Sequence, residues 1–393
     1  MLFQKTDNLF TIPLPQSDLI FTRYLYVKDE VRVALLSSIL RKSDDAIFWA
    51  YELYYSGFKH ELFELLWNIY YDFFATLNPS FESYFLKKHG EWLNNEYDTI
   101  ISSIVQSLLF RPFNIDVFML RNICETFEIT CNYIKQPIVN IDDSKQNLEL
   151  WIREKDYRSI VQWILNENTI TDLTEIYITS LHIFQANGLK LSINRLKNDF
   201  VRITKINTKM KHILLTKIMT LFSRMEKLKK GNSIYIAVDP EDIIQYDTVH
   251  GNRDLKAYNI LKNECIRGIN DTQHLSLFKL TRLKYDLKAA YLSNWEYHAS
   301  FSPLWSQRIH WFGGYPDYNI QKIIFNDDES EEKFYRLYGY EPDEQKLEVQ
   351  EKSVGSIKKE YNWKWFYDTY KKNGLFEVYE EELEEFDVDG IKY

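Results

Sequence analysis

The residues best placed to do chemistry are basic ones, and they concentrate between Leu189 and Lys230. Lys190, Arg195, Lys197, Arg202, Lys205, Lys209, Lys211, Lys217, Arg224, Lys227, Lys229 and Lys230 fall there against only Asp199 and Glu226. A clustered run of lysine and arginine releases counterions from a phosphate backbone, which makes it an affinity source for RNA or DNA. Lys205, Lys209, Lys211, Lys217, Arg224, Lys227, Lys229 and Lys230 are the candidate nucleic-acid contacts. The alternative is an amphipathic helix with a basic solvent side. If Leu191–Leu221 is helical, Leu191, Arg195 and Asn198 share one face, while Ile213, Leu214 and Ile218 form an apolar stripe. A formal net charge of −9 argues against uniform coating of nucleic acid but leaves room for a local basic patch.

Other chemistries find less support. Asp239, Glu241 and Asp242 follow a short alternating run, Ser233–Val238, which reads as a strand. Carboxylates at a strand end can hold divalent metal in a nuclease, whereas a polar turn uses the same residues without function. Cys124 and Cys131 have six residues between them and no neighbouring histidine, a poor zinc spacing. His60, His89, His182, His212, His250, His274, His298 and His310 are scattered, and no metal site is expected. Neither the Walker pattern, the dinucleotide fingerprint nor the Gly-x-Ser-x-Gly elbow occurs. No catalytic residue and no cofactor is assigned.

The elements that must position these residues are helices. Asp29–Leu40 carries Val31, Ala34, Leu35 and Ile39 on one stripe. Asp44–Tyr55 follows with Ser43 as cap and Gly57 as stop, and Lys59–Leu77 ends at Asn78-Pro79. Helical spacing resumes over Tyr97–Phe110, Asn114–Tyr133, Lys155–Asn166, Thr171–Ala186, Arg253–Ile266 and Leu277–Leu292. Ser43–Phe74 and Lys155–Phe184 each read as two helices with a short break, an order compatible with helical repeats. A tryptophan-rich section, Trp295–Trp311, leads into Gly313-Gly314-Tyr315-Pro316. Trp295–Tyr318 is either core or a surface for stacking bases, and Trp363 and Trp365 read as a half-buried surface.

Composition agrees with a mainly α fold. Glycine (12) and proline (9) are scarce among 393 residues, which disfavours turn-dense sandwiches and glycine-loop nucleotide folds. Aromatics reach 16%, enough to supply much of the buried area between helices. Three cysteines form no disulfide framework and fit a reducing compartment. No basic-then-apolar leader opens the chain, and no stretch of about twenty uninterrupted apolar residues occurs, so no membrane span is expected. The polar stretch Asn140–Asn147 marks a boundary. The expected organisation is a helical-repeat-like N-terminal lobe over residues 1–139 and a second helical lobe over 148–292 that carries the basic segment 190–230. An aromatic-rich, less regular region follows over 293–378, and an acidic tail over 379–393. The tail could fold back on the basic segment and compete with nucleic acid.

Asp44–Phe58, Asp-Asp-Ala-Ile-Phe-Trp-Ala-Tyr-Glu-Leu-Tyr-Tyr-Ser-Gly-Phe, resembles a family of uncharacterised proteins of giant nucleocytoplasmic large DNA viruses. The resemblance implies work in the host cytoplasm or in the virion, beside viral transcription, translation or assembly machinery. The expected function is a non-enzymatic scaffold or adaptor in a viral multiprotein complex, contacting other proteins and RNA or DNA. A structural virion component and a metal-dependent nuclease are the alternatives.

Overall fold

The computed structural model describes residues 19–126, 141–166, 172–205, 209–247, 277–278, 286–338, 346–354, 362–380 and 382–383. The fold is mainly helical. In order come α1 (Lys28–Arg41), α2 (Asp45–Tyr55), α3 (Lys59–Ile69) running into a π-turn (Tyr70–Phe74), α4 (Phe81–Asn95), α5 (Thr99–Leu109) and α6 (Asp116–Thr126). Then come α7 (Ile141–Glu154), α8 (Tyr157–Asn166), α9 (Leu173–Ala186), α10 (Ile193–Thr204), α11 (Met210–Met225) and the short α12 (Pro240–Ile243). The C-terminal part holds α13 (Leu287–Leu292), α14 (Trp295–Ala299), α15 (Pro303–Trp311), the antiparallel pair β1 (Tyr315–Asp317) and β2 (Lys322–Ile324), α16 (Asp328–Tyr338), α17 (Leu347–Val354) and α18 (Trp363–Tyr370). Among the described residues no helix is long and apolar enough to cross a membrane.

Buried apolar residues from Leu19 to Leu383 form one continuous cluster, dominated by rings. Trp67 stacks on Phe85 with centroids 3.8 Å apart and fixes α4 against α3. Trp92 Nε1 donates to Tyr54 Oη at 3.1 Å, and Tyr71 Oη donates to Glu82 Oε1 at 3.1 Å, so Trp92 and Tyr71 satisfy their polar ends within the core. The segment Asp44–Phe58 is almost all α2, and Ala46, Ile47, Trp49, Ala50, Tyr51, Leu53 and Tyr54 are buried there.

Several expectations need correction. Ser233–Val238 is extended but pairs with no strand among the described residues; its polar groups go to side chains instead. Ile236 N donates to Ser107 Oγ at 3.1 Å, and Ile234 O accepts from Arg111 Nη2 at 2.8 Å. The stretch Leu191–Leu221 is two helices, α10 and α11, rather than one. Helix α4 had no expectation at all, because Phe81, Phe85 and Trp92 are too sparse to announce it. The polar stretch Asn140–Asn147 runs into the start of α7. Trp363 and Trp365, read as a half-buried surface, sit on α18, where Trp363 is fully buried and Trp365 partly so. The two segments compared as repeats are both helical, as the pairs α2–α3 and α8–α9; α2 lies on α1, α3 and α5, and its counterpart α8 on α6, α7 and α11. The helix expected at Arg253–Ile266, the later part of Asn114–Tyr133, residues 279–285 of Leu277–Leu292 and the tail after Leu383 lie outside the described residues, while the end of Leu277–Leu292 is helical as α13.

Candidate functional site: a lysine-lined cleft

A cleft of about 650 Å³ opens where four parts of the chain meet. Lys42 ends α1, Phe110 to Phe113 link α5 to α6, Lys229 to Asn232 follow α11, and Thr369 to Asn373 end α18. Its base is set by a close backbone approach. Gly231 N donates to Leu77 O at 3.0 Å, and a Cβ on Gly231 would lie 1.9 Å from Asn78 Oδ1 and 3.0 Å from Pro112 Cδ. Asn78 cannot retreat, because its amide donates to Phe74 O at 2.8 Å and to Pro112 O at 2.7 Å. Only glycine lets the segment after Lys230 pass here.

The rim reverses the usual order of burial. At the end of α5, Arg111 is 1% exposed and its neighbour Phe110 is 65% exposed. The Arg111 guanidinium lies over Phe81 at 4.2 Å and Tyr235 at 5.3 Å, and it donates to Ser107 O and Ile234 O. That anchors the extended segment 233–236 and leaves the Phe110 ring beside the lysines. Elsewhere in the lining the Phe113 and Tyr370 rings meet at 5.9 Å. The turn after α18 is pinned by Asn114 Nδ2 donating to Asn373 O at 3.3 Å and Leu375 N donating to Asp116 Oδ2 at 2.9 Å.

Lys42, Lys229, Lys230 and Lys372 are all exposed, and none is ion-paired among the described residues. Among the described residues no carboxylate lines the cleft. Partial burial, reinforced by the nearby Arg224 charge, pushes the Lys230 ammonium below its ordinary value. The arrangement is a concave concentration of positive charge with one exposed apolar ring, Phe110, fitted to a phosphate-bearing ligand.

The basic segment itself is dispersed. Lys217 Nζ donates to both Glu82 oxygens, at 2.7 and 2.5 Å. Lys209 Nζ donates to Asn68 Oδ1 at 3.0 Å, Lys211 Nζ to Leu165 O at 2.8 Å and Arg224 Nη2 to Lys190 O at 3.2 Å. Lys205 and Lys227 are exposed away from the cleft lining, and only Lys229 and Lys230 enter it. Lys42, Lys372 and Phe110 complete the site and were not singled out from the sequence. They are too far apart in the chain for any local pattern to join them.

The carboxylates Asp239, Glu241 and Asp242 are exposed at the start of α12 with no strand before them. Among the described residues no group of three or more histidine, cysteine, aspartate or glutamate side chains is placed to hold a metal ion. The aromatic section divides: Trp295 and Trp305 are buried, whereas Trp311, Tyr315 and Tyr318 are exposed. Of the tail, Glu382 grips Arg158 at 3.1 and 2.8 Å and Leu383 is buried, so its first turn docks on α8 and not on the basic segment. Comparison with protein-family models, curated proteins and solved structures finds no match.

Proposed function

We propose that the protein is a non-enzymatic helical scaffold that joins a multiprotein complex, of viral origin, and holds RNA or DNA by its phosphates in the lysine-lined cleft. Four exposed, unpaired lysines from three distant segments around one concavity carry this reading. Like charges gathered without neutralising carboxylates repel one another, and an anionic ligand relieves that repulsion. The cleft lining offers no carboxylate, imidazole or thiol to move a proton or attack phosphorus, which favours holding over cleaving. Broad faces between packed helix pairs suit protein partners.

The test is a salt titration of oligonucleotide binding. Each neutralised phosphate on a single strand contributes a slope of about −0.7 in log affinity against log salt, so four lysines predict roughly −3. The Lys229→Ala/Lys230→Ala variant should lose about half of that slope. Binding that ignores salt, or a variant that binds like the parent, rejects the cleft as the contact. Purification of the tagged protein with and without nuclease then checks the scaffold role, which requires protein partners that survive the nuclease.

A further inference from the structure

We infer that the cleft is specific for single-stranded nucleic acid and that the exposed Phe110 ring is its base-stacking platform. The inference rests on the phosphate-binding reading and adds the class of strand. Stability alone favours burying Phe110 and exposing Arg111, yet the chain does the opposite at adjacent positions. The inversion keeps a large flat ring in water at the edge of a cationic cleft, and an unpaired base can cover such a ring.

The size of the cleft selects against a duplex. At about 650 Å³ it falls in the range of pockets that enclose one small organic ligand, room for a nucleotide or two of a flexible strand. A duplex keeps its bases stacked inside and presents a wide rigid cylinder of phosphates, so it can touch the rim lysines but cannot offer a base to Phe110. Lys42, Lys229, Lys230 and Lys372, all lining the cleft, supply charge for the backbone. Phe110 supplies the face for the base, the combination that non-sequence-specific single-strand binders use.

The experiment measures binding of the full-length protein to three fluorescein-labelled probes: a 12-nucleotide thymidine strand, a 12-base-pair duplex and a 12-unit abasic sugar-phosphate strand. The single strand should bind at least about tenfold more tightly than either of the others. Phe110→Ala should weaken the single strand by about five- to a hundredfold and leave its salt slope unchanged, while Phe110→Trp should preserve binding. Equal affinity for duplex or abasic strand, or an unaffected Phe110→Ala variant, overturns the single-strand inference and leaves the phosphate reading standing. Loss of binding to all three probes in the parent overturns both. Phe110 is exposed, so its substitution leaves the core intact.

Discussion

The ammonium of Lys217 on α11 sits between the two carboxylate oxygens of Glu82 on α4, with side chains only 15% and 9% exposed. A residue that sequence places in a nucleic-acid-binding run is therefore a structural strut, held by a helix whose existence the sequence did not announce. Breaking a buried pair costs about 3–5 kcal/mol because one charge is left without its partner. Lys217→Ala should lower the unfolding free energy from urea denaturation by an amount toward the lower end of that range, since Lys217 keeps some contact with water. Its oligonucleotide affinity should stay within about twofold of the parent. A large loss of binding with unchanged stability would return Lys217 to the binding surface.

Gly231 provides a second check on how the cleft is built. Gly231→Ala drives a methyl into Asn78 Oδ1 and should destabilise by about 1–3 kcal/mol, the usual cost of overpacking. A double-mutant cycle with Asn78→Ala should show the two penalties to be less than additive, because the smaller side chain removes the clash. Additive penalties would mean that the approach to Asn78 is not what demands glycine.

Asp116 makes stability depend on pH. Burial raises its carboxyl to about 7, and the Leu375 and Phe376 amides draw it back only in part. Tyr157 and Tyr367 lie close enough to feel its charge. The folded protein thus holds a proton that the unfolded chain has already released above its ordinary value of 3.8. Stability contributed by this group is greatest in acid and falls as pH rises from about 4 to about 7. Asp116→Asn should flatten that dependence and raise the thermal midpoint at pH 8. Hydrogen exchange at the Leu375 amide, which the same side chain anchors, should slow in the variant at that pH. A pH profile identical to the parent would show that Asp116 is ionised throughout.

Asp72, inside the π-turn, behaves oppositely. Burial pushes its carboxyl up, but the charges of Arg121 and His212 more than offset this and hold it well below the usual carboxylate range. Arg121 Nη2 lies 3.0 Å from Oδ2, and His212 Nε2 lies 2.7 Å from Oδ1. Its contribution is complete above the ordinary carboxylate range and is lost only as pH falls below about 4. Asp72→Asn removes the buried carboxylate charge from beside the part-buried Arg121 and should cost about 3–5 kcal/mol in urea denaturation at pH 7. A cost below about 1 kcal/mol would show that the Asp72 charge does not hold the π-turn in place.

The tail offers a test of competition. Residues 384–393 include Glu384, Glu385, Asp387 and Asp389, a charge pattern opposite to that of the cleft. Truncation after Leu383, which spares the Glu382–Arg158 contact, should tighten oligonucleotide binding severalfold at low salt and little at high salt. Unchanged affinity at low salt would dismiss the tail as a competitor.

The sequence by itself determined several of the helices. In α1, α2, α3, α5 and α9, apolar residues recur every three to four positions, and such spacing has one stable solution, packing of an apolar face. It also determined the aromatic core in kind, since so many rings must be buried somewhere. Tertiary structure decided which charges are spent and which are free. Lys209, Lys211 and Lys217 were assigned to Asn68, Leu165 O and Glu82 by helices distant in sequence, and Lys42 joined Lys229, Lys230 and Lys372 only when three segments converged. The extended run at Ser233–Val238 has the alternation of a strand, but a strand needs a partner, and Arg111 and Ser107 took its polar groups instead. Alternation and charge are local properties of the chain, whereas pairing, ion-pair partners and the choice to bury Arg111 and expose Phe110 depend on what folds against them.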